Sequence, residues 1–298
     1  VVVVTGGAGF IGSNFVGKLL ELGFKVVVVD NLTTGKLDNL RDYRKNGNFL
    51  FKKCDVNNRK ELFSIVTGKV KYIFHYAACV GVRRTLDNPM TVLLDIEGFK
   101  NILDLAVEKK IKRLFFSSSS EVYGETVSFP QNEESTPLNS RLPYAVVKNV
   151  GEVFIKAYQK KFGLDYTIFR FFNTYGPRQS EDFVISKFIR QALKGEEITI
   201  YGKGKQTRPF LYVDDNVEIT TKAIFEKGVI NKVVNVGSDV EITVRELAAR
   251  IIKLTGLKVG LKFLPALTEG DMPRRLPDIS LMREKLKISP KIDLNDGL

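Results

Sequence analysis

Val1-Val2-Val3-Val4-Thr5-Gly6-Gly7-Ala8-Gly9-Phe10-Ile11-Gly12 is the stretch that decides the fold. Four valines in a row are apolar and β-branched, the pattern of a strand buried on both faces of a parallel sheet. Gly6, Gly9 and Gly12 follow at once, and Ile11, Phe15 and Leu19 then recur every four residues to give a helix one apolar face. Strand, tight glycine turn and helix in that order let the backbone approach a pyrophosphate. The helix N-terminus receives it with N–H donors and a favourable dipole. A glycine triplet alone is a weak signal. In this context Gly6, Gly9, Phe10, Ile11 and Gly12 become candidate dinucleotide contacts.

A second strand pattern over 24–29 ends at Asp30, 21 positions after Gly9, the spacing expected for an acid on the adenosine ribose. A carboxylate there accepts from a 2′-hydroxyl and repels a 2′-phosphate, which favours NAD over NADP. The bland alternative is that Asp30 only caps a strand end. A third strand, 49–53, leads into Cys54-Asp55-Val56, and a fourth, 72–74, into His75-Tyr76-Ala77-Ala78. Small residues at a strand's carboxyl end permit close approach of a cofactor. His75 is the sole histidine, so a histidine triad or multi-histidine metal site is excluded, and no metal is expected.

Strand patterns near 1–5, 25–30, 49–53, 72–75, 112–116 and 165–170 alternate with helical ones, which predicts a doubly wound parallel α/β (Rossmann) sheet. Beyond Asn173 the pattern changes. Residues 1–172 are expected to form the NAD-binding domain, rejoined by 209–236 through a strand at 210–213, a helix at 214–226 and a strand at 233–236. Residues 173–208 and 237–298 are expected to form a second, smaller α/β substrate lobe. The cleft between lobes is the natural substrate site.

Downstream lie Ser119 and Tyr144-Ala145-Val146-Val147-Lys148. Tyr144 and Lys148 are four apart and share a helix face. An ammonium beside a phenol favours the phenolate and lowers its pKa. Such a phenol can take a proton from a sugar hydroxyl while hydride leaves the same carbon. A serine hydroxyl can bridge the phenol and the substrate oxygen.

With these residues in place, the chain resembles the extended short-chain dehydrogenase/reductases that modify nucleotide sugars. TGGAGFIG, Asp30-Asn31, Cys54-Asp55-Val56, HYAA, SSSSEVYG, YAVVK, RFFNTYGPRQ and QTRPFLYVDD occur in that family's order and cover nearly the whole chain. The resemblance implies a tightly held NAD that is reduced and regenerated within one turnover. It assigns Ser119, Tyr144 and Lys148 as catalytic. It places Asn31, Asp55, Val56, Ala77 and Ala78 with the glycine turn and Asp30 around the cofactor. It gives Asn173, Arg208 and Arg275 to the diphosphate of a nucleotide-diphosphate sugar, with Arg274 as a surface salt bridge. Helices at 90–108 and 144–161 would meet across a homodimer axis. Two positions depart from the pattern: Asp95 stands where Asn is usual, and Val147 where Ser precedes the lysine.

Transient oxidation at C4 can lead to several products. The combination favours a UDP-sugar 4-epimerase, which needs only rotation of the ketone and return of hydride. Glu121, a possible acid–base group in Ser120-Glu121, keeps a UDP-glucuronate decarboxylase or a 4,6-dehydratase as the alternative. A non-catalytic NAD- or RNA-binding protein is a minor one.

With 298 residues and 44% hydrophobic content the chain can bury a sizeable core. No apolar run approaches the ~20 residues of a membrane helix. Cys54 and Cys79 match no metal spacing and read as reduced thiols, so a cytoplasmic location is expected. The net charge of +12 could mark nucleic-acid binding. The lysines are scattered, however (Lys109, Lys110, Lys160, Lys161, Lys203, Lys205), which favours a solvated surface and attraction of an anionic substrate. No nucleic-acid or membrane partner is expected. Both chain ends are expected to continue further.

Overall fold

The computed structural model describes residues 1–81, 85, 87–125, 128–267 and 272–298. The early strands are β1 (Val2–Thr5), β2 (Val26–Asp30), β3 (Phe49–Lys53), β4 (Tyr72–His75), β5 (Arg113–Ser119) and β6 (Tyr166–Phe171). Later ones are β7 (Thr174–Tyr175), β8 (Ile198–Tyr201), β9 (Thr207–Pro209), β10 (Leu211–Tyr212), β11 (Lys232–Val236), β12 (Glu241–Thr243) and β13 (Leu261–Leu264). The main sheet runs β11-β6-β5-β4-β1-β2-β3, every pair parallel. The strand order therefore reverses between β1 and β4, where the carboxyl ends of the strands open a crevice.

Alternation along each strand sorts side chains onto two cores. Val2, Val4, Phe74, Phe115 and Phe169 face one side, under Phe15 and Leu19 of α1 (Phe10–Glu21) and Ile219 of α7 (Val213–Lys222). Phe74 and Phe115 are register partners and stack at 4.2 Å. Each such ring, fully buried, contributes on the order of 1.5–3 kcal/mol. Val3, Ile73, Phe116 and Ile168 face the other side. There they meet Leu62 of α2 (Arg59–Ile65), Phe99 and Ile102 of α4 (Asp95–Glu108), and Val147 and Ile155 of α5 (Pro143–Phe162). A third core joins Ile185 and Phe188 of α6 (Val184–Leu193), Ile198 and Ile200 of β8, and Leu247 and Ile251 of α8 (Val244–Thr255).

Three expectations shift. β5 runs on to Ser119, because Ser117, Ser118 and Ser119 keep pairing with Phe169, Arg170 and Phe171. The helix expected over 90–108 divides at Leu94 into α3 (Pro89–Leu93) and α4, and the Glu97 N–H bonds three residues back to the Leu94 carbonyl. The strand expected at 210–213 does not join the main sheet. Asn173, at φ +30°, turns the chain out of β6, and β10 pairs with β7 in a separate two-stranded ribbon. β11 does join the main sheet beside β6.

Along α5, Val146 and Val153 stay exposed and border a hollow of about 400 Å³ with Val150, Phe154 and Ala157. Met90 and Leu94 are exposed nearby in sequence to α4. Among the described residues no helix is long and apolar enough to cross a membrane.

Candidate active site

The glycine turn is shaped by what would collide with it. Gly6 sits at φ +67°, and a Cβ there would lie 2.5 Å from the Ala77 amide nitrogen. A Cβ on Gly12 would run into the Gly6 carbonyl oxygen. These contacts press the end of β1 against the end of β4 and leave bare backbone at the crevice. Gly9 caps α1 with no side-chain hydrogen bond, and the first turn, which includes Phe10 and Ile11, holds no acidic residue. That helix end is therefore open to an anion.

Asp30 ends β2 and is 7% exposed. Its Oδ2 accepts from the Ala8 N–H at 2.9 Å and its Oδ1 from the Leu32 N–H at 2.8 Å. Burial pushes its pKa up and the two N–H bonds oppose the rise. The strand-capping and ligand roles are thus compatible, because each oxygen still has a lone pair for a ribose hydroxyl. Asn31 donates to Asp55 at 3.0 Å, tying the loop after β2 to that after β3. Asp55 also accepts from the Asn57 N–H at 2.8 Å, and the Val56 carbonyl accepts from Asn101 at 2.9 Å. The Ala77 N–H donates to Thr5, and Ala78 lies half-buried beside it. The residues expected around the cofactor from the glycine turn, the Asp30 spacing and the family resemblance thus offer donors and acceptors that fit a dinucleotide. Asp30→Ala is expected to weaken NAD binding by about 1.5–3 kcal/mol through a lost charge-assisted bond. Calorimetry on protein stripped of dinucleotide checks this, and unchanged affinity would leave Asp30 as a strand cap only.

On the other side of the crevice, Ser119 closes β5 and its Oγ accepts from the Glu121 N–H at 3.2 Å. The Ser119 hydroxyl favours ionisation of the Tyr144 phenol. One turn along α5, Lys148 is 2% exposed, donates to the Ser117 carbonyl at 2.6 Å and lies 5.7 Å from the Tyr144 ring centroid. Burial lowers its pKa to about 8, and Asp95 opposes that shift. Tyr144 moves up rather than down: burial leads, the Glu121 charge adds, and the Ser119 hydroxyl opposes. This corrects the expectation that Lys148 lowers the pKa of the phenol. Its ammonium is engaged by a main-chain carbonyl. When bound, NAD supplies the hydride acceptor and a cationic ring that favours the phenolate.

The sequence did not foresee that Glu121 and Arg275 form one pair. Arg275 donates to Glu121 at 2.6 and 2.5 Å in a two-point clasp and reaches Ser120 Oγ at 3.3 Å. The two side chains are 5% and 17% exposed. Arg208 is buried in β9 and donates to the Thr207 carbonyl at 2.7 Å. The Asn173 amide nitrogen is buried and lacks an acceptor among the described residues, which suits a polar group of an incoming ligand. Arg274 instead lies outside, paired with Glu241 at 2.6 Å. His75 is a packed strand-end residue. It is bonded to Thr5 at 2.7 Å, flanked by Phe99 and Phe116, and pushed down to about 3 by burial.

The profile of the NAD dependent epimerase/dehydratase family matches residues 2–237. A putative UDP-glucose 4-epimerase of Methanocaldococcus jannaschii is 37% identical over 302 residues, covering 100% of this chain and 95% of that protein. A UDP-N-acetyl-alpha-D-glucosaminuronate decarboxylase of Bacillus cytotoxicus is 34% identical, with 99% and 94% covered. The crystal structure of a UDP-glucose 4-epimerase with UDP-glucose from Thermotoga maritima superposes with a TM-score of 0.93 at 34% identity, covering 99% and 95%. Profile, relatives and site geometry agree, and the chain belongs to the NAD-dependent epimerase/dehydratase family, a group of enzymes within the extended short-chain dehydrogenases/reductases.

Proposed function

We propose that the protein decarboxylates a UDP-linked hexuronate through a 4-keto intermediate. The observation that supports this most is the Glu121–Arg275 pair beside Tyr144. Oxidation and re-reduction at C4 need only NAD, Ser119, Tyr144 and Lys148. A desolvated ion pair costs free energy, so its presence next to the base points to a further chemical demand.

The proton steps follow from placement. Tyr144 takes the C4 hydroxyl proton, with Ser119 bridging to the same oxygen, and the C4 hydride would pass to bound NAD. The resulting ketone is β to the C5 carboxylate, so carbon dioxide can leave with its bonding electrons delocalised onto O4. Tyr144 and Ser119 donate to that oxygen. The Glu121 charge disfavours a second carboxylate at its side and favours its loss as neutral carbon dioxide. Arg275 keeps the net charge low enough for the substrate to enter. In this reading Glu121 passes a solvent proton to C5, and the hydride would return from the reduced cofactor to C4.

A second assignment, a UDP-sugar 4-epimerase, is favoured by Glu121 being held by Arg275 and so not free as a base. It is also favoured by the likeness to the M. jannaschii and T. maritima proteins. Incubation with UDP-glucuronate, UDP-glucose, UDP-N-acetylglucosamine, dTDP-glucose and GDP-mannose, without added NAD, separates the cases by mass and NMR. Loss of carbon dioxide from the uronate is the expected result. An unchanged mass with inversion at C4 would select the epimerase, and loss of water a dehydratase.

A further inference from the structure

We propose that Glu152 is a positioning residue: held by Arg170, it fixes, through Ser118, the end of β5 that carries Ser119 and the Ser117 carbonyl. This rests on Ser119, Tyr144 and Lys148 serving C4 oxidation, not on which product forms.

Tyr144, Lys148 and Glu152 recur every four residues and lie along one face of α5. Ser117, Ser118 and Ser119 are consecutive on β5. The two rows are joined twice. Lys148 donates to the Ser117 carbonyl at 2.6 Å, and the Ser118 hydroxyl donates to Glu152 Oε1 at 2.6 Å. Ser118 and Arg170 are register partners on β5 and β6, so both side chains reach Glu152 from the same sheet face. Arg170 donates from Nε to Oε1 at 3.0 Å and from Nη2 to Oε2 at 2.7 Å, a two-point grip that fixes the carboxylate plane. Its Nη1 donates to the Tyr123 hydroxyl at 2.9 Å. Tyr123 donates in turn to Asn235 at 2.8 Å, and Asn235 donates to the Asp278 carbonyl at 3.1 Å, three residues beyond Arg275. The bonds therefore run from the face of α5 that holds the base, across the strand ends, to the segment that clasps Glu121. Glu152, Arg170 and Ser118 are all buried.

A buried ion pair is a weak source of stability, since well-packed apolar groups of similar volume often serve as well. What this pair supplies is direction. The gripped carboxylate holds Ser118 at one distance from α5, and Ser119 is the next residue. Slack here would move the Ser119 hydroxyl relative to the Tyr144 phenol, and a misplacement of about 1 Å can cost on the order of 10²-fold in rate.

Ser118→Ala removes the link and leaves the Glu152–Arg170 pair intact. With rates referred to bound NAD, kcat should fall by about tenfold while KM, NAD content and Tm stay near wild type. The double variant Glu152→Leu with Arg170→Met removes the pair without leaving a lone buried charge. It should fold with a Tm near wild type and lose turnover by about 10²-fold. The cost of Ser118→Ala should shrink when Ser119 is already alanine, because both changes then act on one group. Wild-type kcat in Ser118→Ala would overturn the proposal. So would an undiminished loss in the Ser119→Ala background, or a loss matched by falls in NAD content and Tm, which would make the network structural only. Wild-type turnover in Ser119→Ala would instead overturn the catalytic role on which the proposal rests.

Discussion

Tyr144→Phe is expected to lower turnover by roughly 10²–10⁴-fold, the range for a positioned acid–base group. That corresponds to ~2.7–5.5 kcal/mol of transition-state stabilisation. The substitution removes only the hydroxyl, and with it the group on which Ser119 and Glu121 act. The ring over Lys148 stays, as does the bond from Lys148 to the Ser117 carbonyl. Bound NAD should therefore be retained, and its content after denaturation is the control. Ser119→Ala should cost less, because the phenol can still reach the substrate oxygen without its bridge. Turnover near the wild-type rate in Tyr144→Phe would mean that another group takes the proton.

The parts of this protein legible in the sequence are those that obey local rules. Four consecutive valines, the glycine turn and the apolar period after it specify β1, its turn and α1 without reference to the rest of the chain. Tyr144 and Lys148 could be placed on one face because a helix fixes their offset. Long-range relations were not legible. Ser117 to Ser119 are poor strand formers, and only their pairing with β6 extends β5 across them. The strand at 210–213 has the right pattern but the wrong partner, since the turn at Asn173 takes the chain out of the main sheet first. No spacing could reveal that Arg275, 154 positions from Glu121, closes on it. Nor could it show that Lys148 is bonded to a carbonyl, which changes how the phenol is tuned. The candidate catalytic groups could be named from the chain, whereas their charge environment required the fold.

Glu121→Gln carries the largest consequence for the reaction itself. It removes the charge of a nearly buried pair and leaves Arg275, 5% exposed at its side chain, with a weaker neutral acceptor. Breaking such a pair outright typically costs about 3–5 kcal/mol, so the glutamine, which keeps one acceptor, should cost less. If Glu121 serves carbon dioxide loss and protonation at C5, two observables should separate in a single turnover on UDP-glucuronate. Appearance of reduced NAD, which reports C4 oxidation by Tyr144 and Ser119, should stay within about tenfold, whereas release of carbon dioxide should slow by ~10²-fold or more. Arg275→Gln should break the pair from the other side, exposing the substrate carboxylate to an unneutralised Glu121. Its effect should appear mainly in KM for the uronate, because the added repulsion acts on binding. A structural role for the pair would depress both observables together, along with thermal stability. Carbon dioxide release at the wild-type rate in Glu121→Gln would remove the main support for decarboxylation, and with it the reason to prefer that reaction over simple epimerisation at C4.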